Sequence, residues 1–259
     1  MGRGRQTITA ETSNFFSSER CWRVLQVEDP DPIVNTAIDE AVLIAVDRKE
    51  APNTLRFWRN RKAVVLGRSQ RVEEEVSLSA CKRFGVSVVK RFTGGGAVYQ
   101  DCGNLNWTVA TRKGYPPFKS LTKIRKVFNL FGEPIAGGLR RLGYDCTFQP
   151  PNSITLRGFK VSGMAAYVKL ASILCHGTLL LDADLSVMVK VLRKMKDEVT
   201  NLELKKANNE ISDVERAIIE SLSHAYELKF EPAPLLEIEE KILRSLLKKE
   251  IYTENSRSI

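Results

Sequence analysis

A chain of 259 residues fits one large domain, or a large domain with a small appendage. Hydrophobic residues make up 43%, which excludes global disorder, and no apolar run approaches the roughly 18 residues of a membrane span. Forty Lys+Arg against 31 Asp+Glu give a net charge of +9, which points to an acidic partner, while the zinc-finger, RNP-aromatic and basic-heptad signatures of nucleic-acid binding are missing.

The first 20 residues are basic, then polar, without the apolar core of a signal peptide. They read as a loose leader of a cytoplasmic protein, ahead of one domain over 21–259. WRVLQVED (22–29) reads as a strand. NTAIDEAVLIAVDRK (35–49) has apolar residues at 38, 41, 42, 45 and 46, a helical face with Asn35 or Thr36 as cap and acids in the first turn. TLRFWRN (54–60) and AVVLG (63–67) read as a hairpin pair, and LSACKRFG (78–85) as a short helix closed by Gly85. VSVVKRF (86–92), AVYQ (97–100) and NLNWTVAT (104–111) are strands around Gly94-Gly95-Gly96.

A helix follows over 119–142, bent or split by Pro134 and Gly137-Gly138. Strand composition returns in CTFQP (146–150), SITLRGFKVSGMAAYV (153–168) and SILCHGTLLLD (172–182). From about 184 to 259 the chain is a helical third of amphipathic segments, with LKFEP as a strand between the last two. Strands cluster instead of alternating with helices, so the fold class is α+β with mixed, largely antiparallel sheets. Five scattered cysteines (Cys21, Cys81, Cys102, Cys146, Cys175) form no CxxC pair, against a disulfide framework or a zinc site. Two histidines exclude a histidine-rich metal site; a metal would arrive with a ligand.

Three stretches carry chemistry. VKRFTGGGAVYQDCGNLNWTV (89–109) sets Gly94, Gly95 and Gly96 behind Arg91 and Thr93. Each glycine in a sheet costs roughly 0.5–1 kcal/mol relative to Ala. A hairpin or bulge needs one or two; three let an anionic ligand lie against backbone amides, with Arg91 as a bidentate contact. The pattern is neither Walker A nor GxGxxG. RGFKVSGMAAY (157–167) holds Lys160, either an edge lysine that blocks strand aggregation or a fixed cation for a carboxylate or phosphate. CHGTLL (175–180) puts His176 on an apolar strand, as a core residue or a site residue, followed by Gly177 and Thr178.

Together KRFTGGGAVYQDCGNLNWTV (90–109), GFKVSGMAAY (158–167) and CHGTLLLDADL (175–185) resemble lipoate–protein ligases of the biotin/lipoate ligase fold, related to class II synthetases. NTAIDEAVL (35–43) and LGRSQRVEEEV (66–76) also look like motifs of that family. The resemblance implies two steps: lipoate and Mg·ATP form lipoyl-adenylate, then a lysine of an acceptor lipoyl domain displaces AMP. It implies that Arg91, Thr93, Gly94, Gly95 and Gly96 line the acyl-adenylate pocket, with Asn104 and Asn152 on the nucleotide side. Ser162, His176, Gly177 and Thr178 would border the same pocket. Lys160 would be catalytic, on the carbonyl and α-phosphate oxygens. Val64, Leu66 and Val98 are the candidates for the apolar wall of the lipoyl tail, from strand position. Developing negative charge suits fixed donors and cations. The base that deprotonates the acceptor amine stays open among Asp101, Asp182 and the leaving phosphate.

The implied partners are acidic lipoyl domains of the 2-oxoacid dehydrogenase E2 or glycine-cleavage H-protein type, with neither nucleic acid nor membrane. Gln100 stands where the family commonly has His, and Cys175-His176-Gly177 where it has His-His-Gly. Longer ligases carry a further C-terminal domain, so this chain is expected to work with a separate accessory chain or to be weak alone. The rival enzyme is an octanoyl or lipoyl acyltransferase using Cys146 as nucleophile, although Tyr144 and Asp145 beside it do not lower a thiol pKa. The rival without catalysis is a lipoyl-domain binding protein.

Overall fold

A computed structural model describes residues 18–119, 121–204 and 208–252. In chain order its elements are β1 (Cys21–Gln26), α1 (Pro32–Asp47), β2 (Thr54–Trp58), β3 (Ala63–Leu66), α2 (Val72–Glu75), α3 (Leu78–Phe84), β4 (Ser87–Lys90), β5 (Val98–Gln100) and β6 (Asn104–Arg112). There follow α4 (Ile124–Arg141), β7 (Cys146–Gln149), β8 (Ser153–Leu156), β9 (Phe159–Val168), β10 (Ser172–Leu180), α5 (Leu185–Val191), α6 (Ile211–Tyr226), β11 (Lys229–Pro232) and α7 (Glu237–Leu246). An eight-stranded sheet runs β11-β1-β2-β6-β10-β9-β8-β7, and a three-stranded sheet β4-β3-β5. Pairing is antiparallel except at β1–β2, β1–β11 and β3–β4, as the α+β reading expects.

The alternation in NLNWTVA decides what each face of the large sheet does. Leu105, Trp107 and Val109 of β6, with Leu55 and Phe57 of β2 and Cys175 and Leu179 of β10, enter the main core under the aromatic side of α4. The intervening Asn106 and Thr108 are also buried, but they look the other way, beside Arg56 and His176 on neighbouring strands. A strand with one apolar and one buried polar face signals a site.

Several sequence expectations change. The stretches 54–60 and 63–67 are not a hairpin: β2 joins the large sheet and β3 the small one, so the link between them opens the gap between sheets. The cap of α1 lies upstream of Asn35, at Asp31, whose side chain accepts from the Ile33 amide ahead of Pro32 at the helix start. Asp39 therefore sits well inside the helix and is buried, with no acid in the first turn.

Nor is α4 split. Its interior Pro134 cannot donate to the Leu130 carbonyl, and the Tyr226 hydroxyl of α6 takes that acceptor instead. Gly138 lets the helices meet, since a Cβ there would stand 2.7 Å from the Ala217 carbonyl oxygen. The C-terminal third is woven into the domain: β11 extends the large sheet, and Glu239 of α7 forms a fully buried ion pair with Arg23 of β1. Residues 1–17 of the expected leader lie outside the described residues; the Glu19 carbonyl accepts from Trp22 Nε1 and Asn53 Nδ2.

Candidate active site

The gap between the small sheet and the polar face of the large sheet is a cleft of about 130 Å³. A larger groove of about 520 Å³, lined by Asp31, Lys82 and Ser87 among others, lies between the start of α1, the end of α3 and β4; it is the smaller cleft that gathers Gly96, Lys160 and His176. One cleft wall is β3, β5 and the glycine segment; the other is β2, β6, β10 and β9, with Thr36 and Asp39 of α1 at one side.

Gly94, Gly95 and Gly96 form an exposed lip, of which Gly96 lines the cleft. Gly95 has φ of 97°, a conformation that favours glycine, and a Cβ there would lie 2.9 Å from the Arg91 guanidinium and 3.6 Å from the Ala165 side chain. Nothing stands within 4 Å of a Cβ on Gly94 or Gly96. These two are open to a ligand. Among the described residues the amides of 94–96 donate no hydrogen bond, leaving donors for an anion.

Arg91 differs from expectation. Its guanidinium is buried and already engaged: Nε donates to Thr93 Oγ1 at 3.0 Å, and the terminal nitrogens donate to the carbonyls of Val65, Gly94 and Gly96 at 2.8–2.9 Å. The fork holds the lip in shape and is not presented for a bidentate anion contact. No carboxylate pairs with it among the described residues, and burial pulls its pKa down to about 10. A cation left unneutralised beside the cleft still favours an anionic ligand.

The Thr93 hydroxyl, in turn, lies 2.8 Å from His176 Nε2, and His176 Nδ1 lies 3.1 Å from Asp39 Oδ2. Because the Asp39 carboxylate can only accept, His176 Nδ1 carries the proton and donates to it, and Nε2 of the neutral ring accepts from the Thr93 hydroxyl. Burial first lowers the His176 pKa; Asp39 opposes this, and Arg91 and Arg56 add to it. The imidazole is neutral. Burial would raise the Asp39 carboxyl, but Arg56 at 2.6 Å, His176 and Thr108 hold it below the usual range. His176 thus ties the glycine lip to α1.

Lys160 stands on the opposite wall. Its Nζ donates to Asp197 at 2.6 Å, and its backbone is fixed by the segment 198–200, with Lys160 N to Glu198 O at 2.8 Å and Thr200 N to Lys160 O at 3.0 Å. A Cβ on Gly163 would be 3.2 Å from the Lys160 side chain, so this glycine gives the ammonium room along the cleft floor. Asn152, Gly177, Thr178 and Val98 also line the cleft. Asn152 Nδ2 donates to the Met164 carbonyl at 2.7 Å, which pins the loop before β8 to β9.

Other expectations fail for identifiable reasons. Val64 and Leu66 are fully buried in the small sheet's own core, and Val65 lines the cleft instead; a strand position misread by one residue exchanges faces. Asn104 is buried, and its Oδ1 accepts from the Asp101 amide at 2.8 Å, shaping the β5–β6 turn instead of lining the cleft. Ser162 is buried off the cleft, and its Oγ has no hydrogen-bond partner among the described residues. Gly177 has a packing cause, since a Cβ there would meet the Trp107 ring at 2.7 Å. Cys146 is fully buried in the main core, and burial pushes its thiol up to about 12; no cysteine lines the cleft.

Sequence reasoning missed Asp39, Trp58, Val65 and Asn106. The signal for Asp39 was an acid inside an otherwise apolar helix. For Asn106 it was the polar half of the β6 alternation.

Fold and site define an α+β protein with a cleft between a bare backbone lip and a lysine-bearing strand. The profile of the lipoyl protein ligase A/B catalytic domain matches residues 31–224, and the chain belongs to that family. Lipoate-protein ligase LplJ of Bacillus subtilis is 30% identical over 184 residues, covering 71% of this chain and 53% of the relative, so the chain spans about half the length of that ligase. Lipoate-protein ligase A subunit 1 of Thermoplasma acidophilum is 28% identical across 90% of this chain and 94% of its own. Octanoyltransferase LipM of Kyrpidia tusciae is also 28% identical, across 90% of this chain and 97% of its own.

Among solved structures, a Thermoplasma acidophilum lipoate protein ligase with bound lipoic acid superposes with a TM-score of 0.80 at 28% identity, covering 91% of this chain and 98% of that one. A lipoate-protein ligase A bound with ATP gives 0.81 at 29% identity, covering 91% and 97%.

Proposed function

We propose that this chain is the catalytic part of an ATP-dependent lipoate–protein ligase. The carboxylate of lipoate attacks the α-phosphate of ATP, releasing pyrophosphate and forming lipoyl-adenylate. The ε-amine of a lysine on an acceptor lipoyl domain then attacks the acyl carbonyl, loses a proton and displaces AMP. One observation carries the reading: Lys160 and Gly96 of the open glycine lip line one cleft that, among the described residues, has no cysteine in its walls. The amides of 94–96 are donors for phosphate oxygens, and Lys160 is the cation for the carbonyl and α-phosphate oxygens as charge builds in both steps. Asn152 and Thr178 border the same path. Mg2+ arrives with ATP and neutralises phosphate charge.

The relatives bound to lipoic acid and to ATP support both substrates. The Thermoplasma acidophilum system is described as a bi-partite lipoate protein ligase with its E2 lipoyl domain, on a structure 29% identical to this chain. By the same logic the acceptor here is an acidic lipoyl domain, and a separate accessory chain supports adenylation. Incubating the pure chain with lipoate, Mg·ATP and an acceptor domain, with and without that accessory chain, and measuring acceptor mass tests the reading. The expected result is a lipoyl mass increment that grows when the accessory chain is added; no increment in either arm defeats it.

The match to LipM keeps octanoyl transfer as the second reading. A thiol with a pKa near 12 in the core is a poor nucleophile. Cys146→Ser should therefore leave acyl transfer intact, and its loss would favour the transferase.

A further inference from the structure

A directed chain of hydrogen bonds crosses the protein and ends in the cleft. It starts at the Arg56 guanidinium, which can only donate, and which donates to Asn35 Oδ1 at 2.8 Å; the Asp29 amide donates to the same oxygen at 3.0 Å. Asn35 Oδ1 is thereby fixed as acceptor, so Asn35 Nδ2 donates to Asn60 Oδ1 at 2.9 Å, and Asn60 Nδ2 to Gln100 Oε1 at 2.7 Å. Gln100 Nε2 then donates to Thr178 Oγ1 at 2.8 Å, and the Thr178 hydroxyl donates to Asn106 Oδ1 at 2.6 Å. Each amide orientation follows from the one before it.

The last group is Asn106 Nδ2. It is buried in the cleft wall and finds no acceptor among the described residues. The orphaned group is of necessity a donor, because its partner oxygen is committed to Thr178. Buried polar groups are nearly always paired, and this one lines a binding cleft.

Its position is set by register. Trp58, Asn106, Thr178 and Gly163 lie in one row across β2, β6, β10 and β9, and Gly163 adjoins the Lys160 ammonium. Two strand spacings separate Asn106 from that end, about 10 Å, close to the reach of an extended eight-carbon acyl chain, about 9 Å by bond lengths. Trp58, the cross-strand partner of Asn106, with Val65 and Val98, gives the cleft an apolar share beside the polar Gln100 and Thr178.

We propose that Asn106 determines acyl specificity: its free amide donates to a weak acceptor at the far end of the acyl chain, a ring sulfur of a dithiolane, and so favours a sulfur-bearing tail over a saturated eight-carbon one. The inference rests on the cleft being the acyl site with the carboxyl end at Lys160. Sulfur is a weak acceptor that tolerates apolar neighbours, whereas a saturated chain leaves the amide buried and unpaired, which is how a polar group in a site rejects an analogue lacking its partner.

The test is direct calorimetric binding of free lipoate and free octanoate to the full chain, wild type against Asn106→Leu and Thr178→Val, with melting curves to verify folding. The wild type should bind lipoate about tenfold more tightly than octanoate. Asn106→Leu should bring the ratio to within about twofold by losing lipoate affinity alone, and Thr178→Val, which frees the amide to turn, should give an intermediate ratio. If Asn106→Leu does not fold, Thr178→Val carries the decision. A preference unchanged in the variants, or affinity lost equally for both acids, overturns the role of Asn106 while leaving the acyl cleft standing. Binding of neither acid to the wild type overturns the cleft reading and this inference together.

Discussion

His176 is held neutral between two guanidinium groups, and that choice has a pH signature. Its folded-state pKa lies below the ordinary value of 6.5, chiefly through burial. The unfolded chain therefore takes up a proton there first, and stability present at neutral pH is lost as pH falls from about 6.5 toward the folded-state value. Asp39 has a depressed pKa, so its contribution is present above about 4 and is lost as pH falls through the folded value, a second loss of the same sign at lower pH. Melting temperatures by calorimetry should drop between pH 7 and pH 5.5 in the wild type and stay flatter over that window in His176→Gln. Parallel curves would remove His176 from the acid response.

At the scale of elements, the glycines separate into structural and functional ones. A Cβ on Gly67 would stand 2.2 Å from the Gly95 carbonyl oxygen, backbone against backbone, so Gly67→Ala should destabilise by on the order of 1–3 kcal/mol. A Cβ on Gly96 meets nothing within 4 Å, so Gly96→Ala should melt like the wild type yet lower acyl transfer by about tenfold, because the methyl group occupies the ligand's side of the lip. Denaturant titration and transfer rates on the same preparations check both; equal melting of Gly67→Ala, or full activity of Gly96→Ala, contradicts the division.

The same scale explains what the sequence could convey. The alternation of β6 and the glycine end of α3 at Gly85, with φ of 63°, depend on local periodicity and were legible. The partnering of β2 and β3 with different sheets was not, because sequence neighbours usually pair. Lys160 and the lip announced themselves as departures from ordinary strand composition. Asp39 did not, since its partner His176 is 137 residues away, and Asn106 gains meaning only from a hydrogen-bond chain drawn from several elements.

For the whole molecule, the excess of 40 Lys+Arg over 31 Asp+Glu fits an acidic acceptor domain. Steering by that field weakens as salt shortens the screening length. The second-order rate of transfer to the acceptor should therefore fall several-fold between low salt and about 0.5 M, and a flat rate would discount steering.

The most direct measurement is single-turnover transfer from presynthesised lipoyl-adenylate to an acceptor lipoyl domain, followed by acceptor mass, because it needs neither ATP nor an accessory chain. With Lys160 and the glycine lip acting on one mixed anhydride, the wild type and Cys146→Ser should transfer equally, and Lys160→Met should be slower by about 10²–10³-fold while remaining folded. Transfer by Lys160→Met at the wild-type rate, or its abolition in Cys146→Ser, would contradict that account.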